Sequence, residues 1–161
     1  MKKLFALTVL FSLAACQTAP SASTTSNSSS GESPTISTKS LDPNDDDFDP
    51  VAFKRRIYKN WKPPVVEESV IASYPLGSKE NPVRTQGVNG ERAYLQRLIC
   101  PNGVPASYNR LGSGGFSPWQ FLMDIYVVQC GKGLSFTVNM DLYHPGYVED
   151  QPIPGMSISP P

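Results

Sequence analysis

The chain has 161 residues, and its 14 basic and 14 acidic side chains give a formal net charge of zero at pH 7. This length suits one domain of modest size, and the balanced charge excludes the strongly basic surface that is typical of nucleic-acid-binding proteins. We therefore expect no nucleic-acid partner.

The first residues carry the features of an export signal. Two lysines follow Met1, an apolar run extends from Leu4 to Phe11, and small residues lead to Cys16. The apolar run is too short to cross a bilayer, which takes about 20 apolar residues. Residues 1–15 are therefore predicted to be a removable signal peptide.

The sequence Leu13-Ala14-Ala15-Cys16 resembles the lipobox of bacterial lipoproteins. In that family the signal is cut just before the cysteine, which then carries a diacylglycerol thioether and an acylated amine, often with palmitate. The resemblance implies that Cys16 is lipidated and that several acyl chains anchor the protein firmly in a membrane. Gln17 stands where an aspartate would imply retention in the inner membrane. The resemblance thus implies the cell outer membrane, and the periplasmic or surface face stays open.

Residues 16–47 are predicted to form a disordered tether. Small and polar residues dominate residues 17–40 and offer too little apolar surface to offset the entropy of ordering. An acidic stretch follows, in which Asp42, Asn44 and Asp46 have the spacing of the first calcium ligands of an EF-hand. The sixth position lacks glycine and the twelfth lacks glutamate, so we interpret this stretch as a solvated linker.

A helix is predicted to begin at Pro50, because Asp49 can cap its first amides and proline suits the first helical position. Its apolar stripe has spacings of three and four residues. The members of that stripe are Phe53, Ile57, Tyr58 and Trp61. Basic residues, among them Lys54, lie mostly off the stripe. We expect the stripe to pack on the domain core, and the alternative is a helix that contacts anionic lipid.

The middle of the chain is harder to interpret. Val65–Tyr74 suits a helix or a strand, and Asn89-Gly90 is a strong turn signal. Arg92–Cys100 suits a helix by the spacing of its apolar residues, but the turn signals on either side favour a strand. We therefore predict a strand there and keep the helix as the alternative.

The C-terminal part predicts a β-hairpin. Phe121–Cys130 is rich in apolar and β-branched residues, and Leu134–Tyr143 alternates apolar and polar residues. The three residues between them include two glycines, which is typical of a hairpin connection. The chain from Pro145 onward is rich in proline and is predicted to be irregular.

Cys100 and Cys130 remain as a pair if Cys16 is lipidated. Compartments beyond the inner membrane favour disulfides, and a bridge that closes a loop of about 30 residues stabilises a fold by roughly 3–4 kcal/mol. Two cysteines and one histidine are too few for structural zinc, so we expect no metal and no cofactor. The prediction is an α+β domain at residues 48–161, with a small antiparallel sheet, an N-terminal helix packed on it and one disulfide.

Few residues suggest catalysis. His144 is the only histidine, no Gly-x-Ser-x-Gly motif is present, and the acidic side chains of interest are Asp124 and Asp141 on the two hairpin arms. No catalytic residue is assigned. A glycine-rich loop that ends near two aromatic residues is a plausible contact surface, although the aromatic side chains could also be tucked in. The candidate binding residues are Tyr108, Arg110, Phe116, Trp119 and His144.

The stretch from Gly77 to Gly146 also resembles a set of uncharacterised bacterial envelope proteins, which implies no particular activity. The favoured hypothesis is a non-enzymatic envelope lipoprotein that acts as a binding or accessory module for a periplasmic or surface protein. The alternative is an enzyme or glycan-binding protein that acts on cell-wall or surface polysaccharide.

Overall fold

The computed structural model describes residues 39–161, and the predictions for the signal peptide, for Cys16 and for most of the tether lie outside the described residues. The described part is an α+β fold with three helices and seven strands. The helices are α1 (Pro50–Ile57), α2 (Glu68–Ile71) and α3 (Gly87–Arg97). The strands are β1 (Val83–Gln86), β2 (Leu98–Ile99), β3 (Ser107–Phe116), β4 (Leu122–Cys130), β5 (Leu134–Asp141), β6 (Tyr143–Val148) and β7 (Ser157–Ile158).

Five strands form the main sheet, in the order β3-β4-β5-β1-β6, and β2 pairs with β7 in a separate ribbon. Strands β3, β4 and β5 are antiparallel neighbours, but β1 runs parallel to β5. The sheet is therefore mixed, and the prediction of a small antiparallel sheet was wrong for the β1–β5 pair. The reason is that β1 precedes α3 in the chain and inserts between β5 and β6.

The hairpin of β4 and β5 is confirmed. Tyr126 lies opposite Val138, and Cys130 lies opposite Leu134 across the three-residue connection. Alternate residues of both strands face α3, because side chains of a strand project to opposite faces in turn. These residues form the main core together with α3 and β1. The buried members of this core are Val83, Tyr94, Leu95, Leu98, Tyr126, Val128, Val138, Met140 and Ile153.

The predicted strand at Arg92–Cys100 was wrong, since most of it belongs to α3 and only Leu98–Ile99 pairs as a strand. The turn signal at Asn89-Gly90 likewise lies inside the helix. Tyr94 and Leu95 are buried against the sheet, and this packing outweighs the local preference for a turn. A Cβ atom at Gly90 would lie 3.1 Å from the Cβ of Thr85, so glycine permits the close approach of α3 to β1.

The glycine-rich segment before Phe116 is a strand, not the flexible loop that the sequence predicts. It forms the edge strand β3 and pairs with β4 along its whole length. The register shifts twice, between Arg110 and Gly112 and between Ser113 and Gly115. Gly112 and Gly115 have φ values of 144° and 84°, which a residue with a side chain rarely adopts. The glycines therefore allow two bulges within a paired strand.

The helix α1 begins where the sequence indicates, and Asp49 Oδ1 accepts hydrogen bonds from the backbone N–H groups of Val51 and Ala52 at 2.9 and 3.0 Å. The helix ends at Ile57, before the proline pair. The expected apolar stripe is only partly buried, because Ile57 and Tyr58 are 57% and 54% exposed. None of the helices within residues 39–161 has the length and apolar character needed to cross a bilayer.

The predicted disulfide between Cys100 and Cys130 is confirmed. It joins the chain just after β2 to the last residue of β4. Since β2 also pairs with the C-terminal strand β7, the bridge connects the small ribbon to the main sheet. Both cysteines are buried, so the bridge belongs to the core and is not an exposed redox pair.

Replacing both cysteines by alanine should lower the free energy of unfolding by about 3 kcal/mol, because the bridge closes a loop with a sequence separation of 30 residues. Urea unfolding with and without a reducing agent measures this change. The reducing agent should destabilise the native chain and leave the Cys100→Ala/Cys130→Ala variant unchanged. Equal stability of the oxidised native chain and the variant would contradict the prediction.

Candidate functional site

The structure separates the predicted binding residues into three places. Tyr108 and Arg110 lie on β3, where Tyr108 packs edge-on against Tyr126 with 6.2 Å between ring centroids. Phe116 lies at the end of β3 and is 56% exposed. Trp119 and His144 contact each other, with 4.7 Å between their ring centroids. The five residues therefore do not form one continuous surface.

Arg110 is engaged in an ion pair with Asp124. Its Nε and Nη2 atoms donate to the two carboxylate oxygens at 2.5 and 2.7 Å. This bidentate geometry fixes both side chains on the surface of the β3–β4 pair. A cavity of about 420 Å³ lies beside them, and its lining includes Arg92, Tyr108 and Leu142.

Glu91 lies behind this ion pair and is completely buried. Its Oε2 accepts a hydrogen bond from the Tyr126 hydroxyl at 2.9 Å, and Oε1 has no hydrogen-bond partner. Burial raises the pKa of Glu91 to about 8, and the negative charge of Asp124 adds to this effect. Glu91 is therefore mostly protonated at neutral pH, but it has no contact with solvent through which to act on a substrate.

Glu91 is not predicted to be buried from the sequence, because residues 92–100 are predicted to form a strand. Once this segment is helical, Glu91 falls three and four residues before Tyr94 and Leu95, on the same buried face. The signal was therefore present but depended on the secondary structure.

Asp124 and Asp141 do not form a carboxylate pair. Asp124 lies opposite Met140 and Asp141 lies opposite Met123, so the two carboxylates project from opposite faces of the sheet. Asp141 is completely buried, and its Oδ2 lies 3.2 Å from Nε2 of His144. The edge contact with Trp119 covers the imidazole. The two acidic residues thus lack the shared opening that polysaccharide hydrolysis by a carboxylate pair requires.

A different site lies between α1 and the β3–β4 connection. We call it the aromatic groove, and it is an open cavity of about 410 Å³. Its lining residues are Lys54, Tyr58, Trp61, Phe116 and Gln120. α1 supplies Lys54, the chain just after α1 supplies Tyr58 and Trp61, and the turn between β3 and β4 supplies Gln120. Phe116 is the one member of this groove that the sequence analysis selected.

Lys54 lies at the base of the aromatic groove and is only 6% exposed. Its ammonium lies 5.1–5.9 Å from the centroids of four aromatic rings, an arrangement that permits cation–π attraction. The rings belong to Tyr58, Trp61, Phe116 and Phe121. Burial lowers the pKa of Lys54, and the more distant charge of Asp141 raises it in part. Within residues 39–161, no carboxylate forms an ion pair with this ammonium.

Lys54 was missed because it was grouped with the solvent-facing basic residues of the helix. Its spacing from Tyr58 and Trp61 is four and seven residues, which is the spacing of one helical face. The same periodicity that selects the aromatic residues therefore also includes Lys54. Sequence patterns normally assign lysine to solvent, and only the ring contacts show that this lysine is enclosed.

Gln120 lines the groove from the β3–β4 turn, on the side opposite α1. It is the only non-glycine residue with positive φ in residues 39–161, at 63°. The turn is closed by the Gln120 N–H, which donates to the Ser117 carbonyl, and by the Ser117 N–H, which donates to the Phe121 carbonyl. Glycine usually occupies this left-handed position in a three-residue hairpin connection. The Gln120 Oε1 accepts a hydrogen bond from Trp61 Nε1 at 2.9 Å, which joins the turn to the segment after α1.

Comparisons with known protein families, with curated protein sequences and with solved structures find no match for this chain. Within the described part of the chain, no group of three or more His, Cys, Asp or Glu residues is arranged to hold a metal ion. The assignment of a site therefore depends on the geometry alone.

The stability of the protein should fall with rising pH because of Glu91. Its pKa rises from 4.5 in the unfolded chain to about 8 in the folded chain, so the folded state retains a proton that the unfolded state releases. The stabilisation is fully present below pH 4.5 and is lost as the pH approaches 8. The slope is up to about 1.4 kcal/mol for each pH unit.

Glu91→Gln should remove this pH-dependent loss, because the amide does not titrate. Urea unfolding of the native chain and the variant across this pH range tests the prediction. Glu80→Gln is the matched control, since Glu80 is exposed. Equal pH slopes in the native chain and Glu91→Gln would show that Glu91 does not retain its proton on folding.

The backbone of Gln120 should store strain that a pair of variants can reveal. Gln120→Gly and Gln120→Ala both remove the hydrogen bond to Trp61, but only glycine adopts positive φ without a steric cost. We expect Gln120→Gly to be more stable than Gln120→Ala by about 1 kcal/mol. Urea unfolding measures the difference, and equal stabilities would argue that the turn changes conformation in the alanine variant.

Proposed function

We propose that this chain is a membrane-anchored, non-enzymatic binding module of the bacterial envelope, lipidated at Cys16 and held at the outer membrane. The aromatic groove is its recognition surface for a periplasmic or surface protein. The observation that carries this proposal is the groove itself, which combines exposed rings with a buried ammonium that forms no ion pair within residues 39–161.

The composition of the groove supports a role in binding. Tyr58 and Phe116 are 54% and 56% exposed, although large aromatic side chains gain most from burial. Aromatic residues of this kind supply much of the binding energy in protein interfaces. The energy gained when a partner covers these two rings would therefore be available for association.

The groove is also largely preformed. Trp61 packs on Phe121 with 5.8 Å between ring centroids, and its indole N–H donates to Gln120. These contacts connect the segment after α1 to the β3–β4 turn. A partner would therefore lose little affinity to ordering of the groove.

The tether and the anchor suit such a module. The part of the tether before residue 39 would have a root-mean-square reach of roughly 25 Å, so the groove would sample a shell close to the membrane. The end of the predicted tether is held by hydrogen bonds of Asn44 and Asp46 to α3 and β1. A partner held in the same membrane would meet the groove at a high effective concentration. Binding could then be productive even where the intrinsic affinity is modest.

The geometry of the other candidate residues favours binding over hydrolysis. Asp141 is completely buried, and Trp119 covers the imidazole of His144. The buried Glu91 contacts Tyr126 and not an open cleft.

Photo-crosslinking in cells tests the proposal. A photoreactive residue at the exposed Tyr58 should give one dominant envelope-protein adduct, identified by mass spectrometry. The adduct should be lost in Cys16→Ser and absent when the photoreactive residue replaces Lys132, which is exposed in the turn between β4 and β5. Equal adducts from both positions, or adducts that do not depend on Cys16, would contradict the proposal.

A further inference from the structure

We propose that the aromatic groove binds the C-terminus of a partner protein, with the terminal carboxylate paired to the Lys54 ammonium and an apolar last side chain held among the rings. This inference rests on the proposed binding function and names the chemical group that the groove recognises.

Residues 39–161 compensate the charge of Lys54 only in part. The Lys54 residue is 6% exposed, and a buried charge is costly unless it is paired. The four ring faces provide attraction but no hydrogen-bond acceptor of ordinary strength. The buried carboxylate of Asp141 raises the pKa of Lys54 in part, but it forms no ion pair with the ammonium, and its Oδ1 accepts a hydrogen bond from the Tyr143 N–H. An incoming carboxylate would complete the ion pair that the protein lacks.

Gln120 strengthens the preference for an anion. The indole N–H of Trp61 can only donate, so it fixes the carbonyl oxygen of the Gln120 amide on its own side. The amide nitrogen is left as a further donor in the groove lining. Gln120 also has a backbone conformation that usually requires glycine, and such outliers are concentrated at functional positions. An ordinary turn would not need glutamine here, whereas a carboxylate site would use its amide.

The size and lining of the groove suit the end of a chain. Its volume of about 410 Å³ is that of a site for a small ligand or a few side chains. The five lining residues lie at least three positions apart in the chain, so no continuous strand edge lines the groove to pair with a segment running through it. A C-terminus carries its own negative charge, and only a short stretch of its backbone would need hydrogen-bond partners in the groove. The single ammonium also matches a monoanion better than a doubly charged phosphate.

The test uses the full chain in phosphatidylcholine nanodiscs and follows the fluorescence of Trp61, with Trp119→Phe as the background so that Trp61 is the sole tryptophan. The first probe is the peptide acetyl-Ala-Leu-Phe with a free carboxylate. The second is the same peptide with a C-terminal amide, which differs only in charge. Octanoate is the third probe and represents a free fatty acid. Empty nanodiscs supply the baseline for partitioning into lipid.

The free-acid peptide should bind at least about tenfold more tightly than the amide, which corresponds to about 1.4 kcal/mol. Lys54→Met should abolish this difference, because methionine fills the same space without charge. Arg56→Met is the matched control on the same helix, and it should keep the difference since Arg56 is exposed. The comparison of acid and amide uses native Lys54, so it does not depend on whether the Lys54 variant folds.

Equal affinities for the acid and the amide would overturn the inference, as would a preference for the acid that survives in Lys54→Met. Octanoate binding as tightly as the peptide would also overturn it, because a free lipid-like acid would then be the better occupant. If these results occur while Tyr58 still captures one envelope protein, the proposed binding function stands and only the recognised group is wrong. If the peptide result is as expected but Tyr58 captures nothing, the groove recognises a carboxylate and the proposed envelope-protein partner is wrong.

Discussion

The fold depends on the packing of α3 across the central strands of the sheet. Tyr94, Leu95 and Leu98 fill the space above β4, β5 and β1, and they are among the least exposed side chains of the protein. This packing requires the close approach of Gly90 to Thr85 and places β1 between β5 and β6. Strand β2 follows α3 directly and pairs with the C-terminal strand β7. The disulfide secures that junction, so one helix determines both the order of the main sheet and the position of the small ribbon.

The features that could be predicted from the sequence are those encoded by neighbouring residues. The β4–β5 hairpin follows from period-two alternation and a glycine-containing connection, and Asp49 with Pro50 encodes the start of α1. The features that were missed depend on distant contacts. A turn signal at Asn89-Gly90 was overridden by burial of the residues that follow it. The glycines of β3 suggested a loop because the pattern does not reveal that they permit bulges in a paired strand.

The candidate site was only partly predictable for the same reason. Phe116 could be selected as an aromatic residue near a glycine-rich stretch, but three of the other lining residues come from a segment more than 50 residues earlier in the chain. Lys54 was assigned to solvent because lysine is rarely enclosed. Glu91 is a second buried ionisable residue whose burial composition does not reveal. The two residues differ in how their charge is handled. Glu91 is neutral because it retains a proton, whereas Lys54 lines an open groove through which an anion can reach it.

The two bulges of β3 also bear on how neighbouring copies behave. β3 is an edge of the main sheet, and an edge strand with regular unpaired backbone groups is a template for a second chain. The register shifts near Gly112 and Gly115 interrupt that regularity. An irregular edge therefore allows many copies to be crowded side by side without their sheets merging into an aggregate.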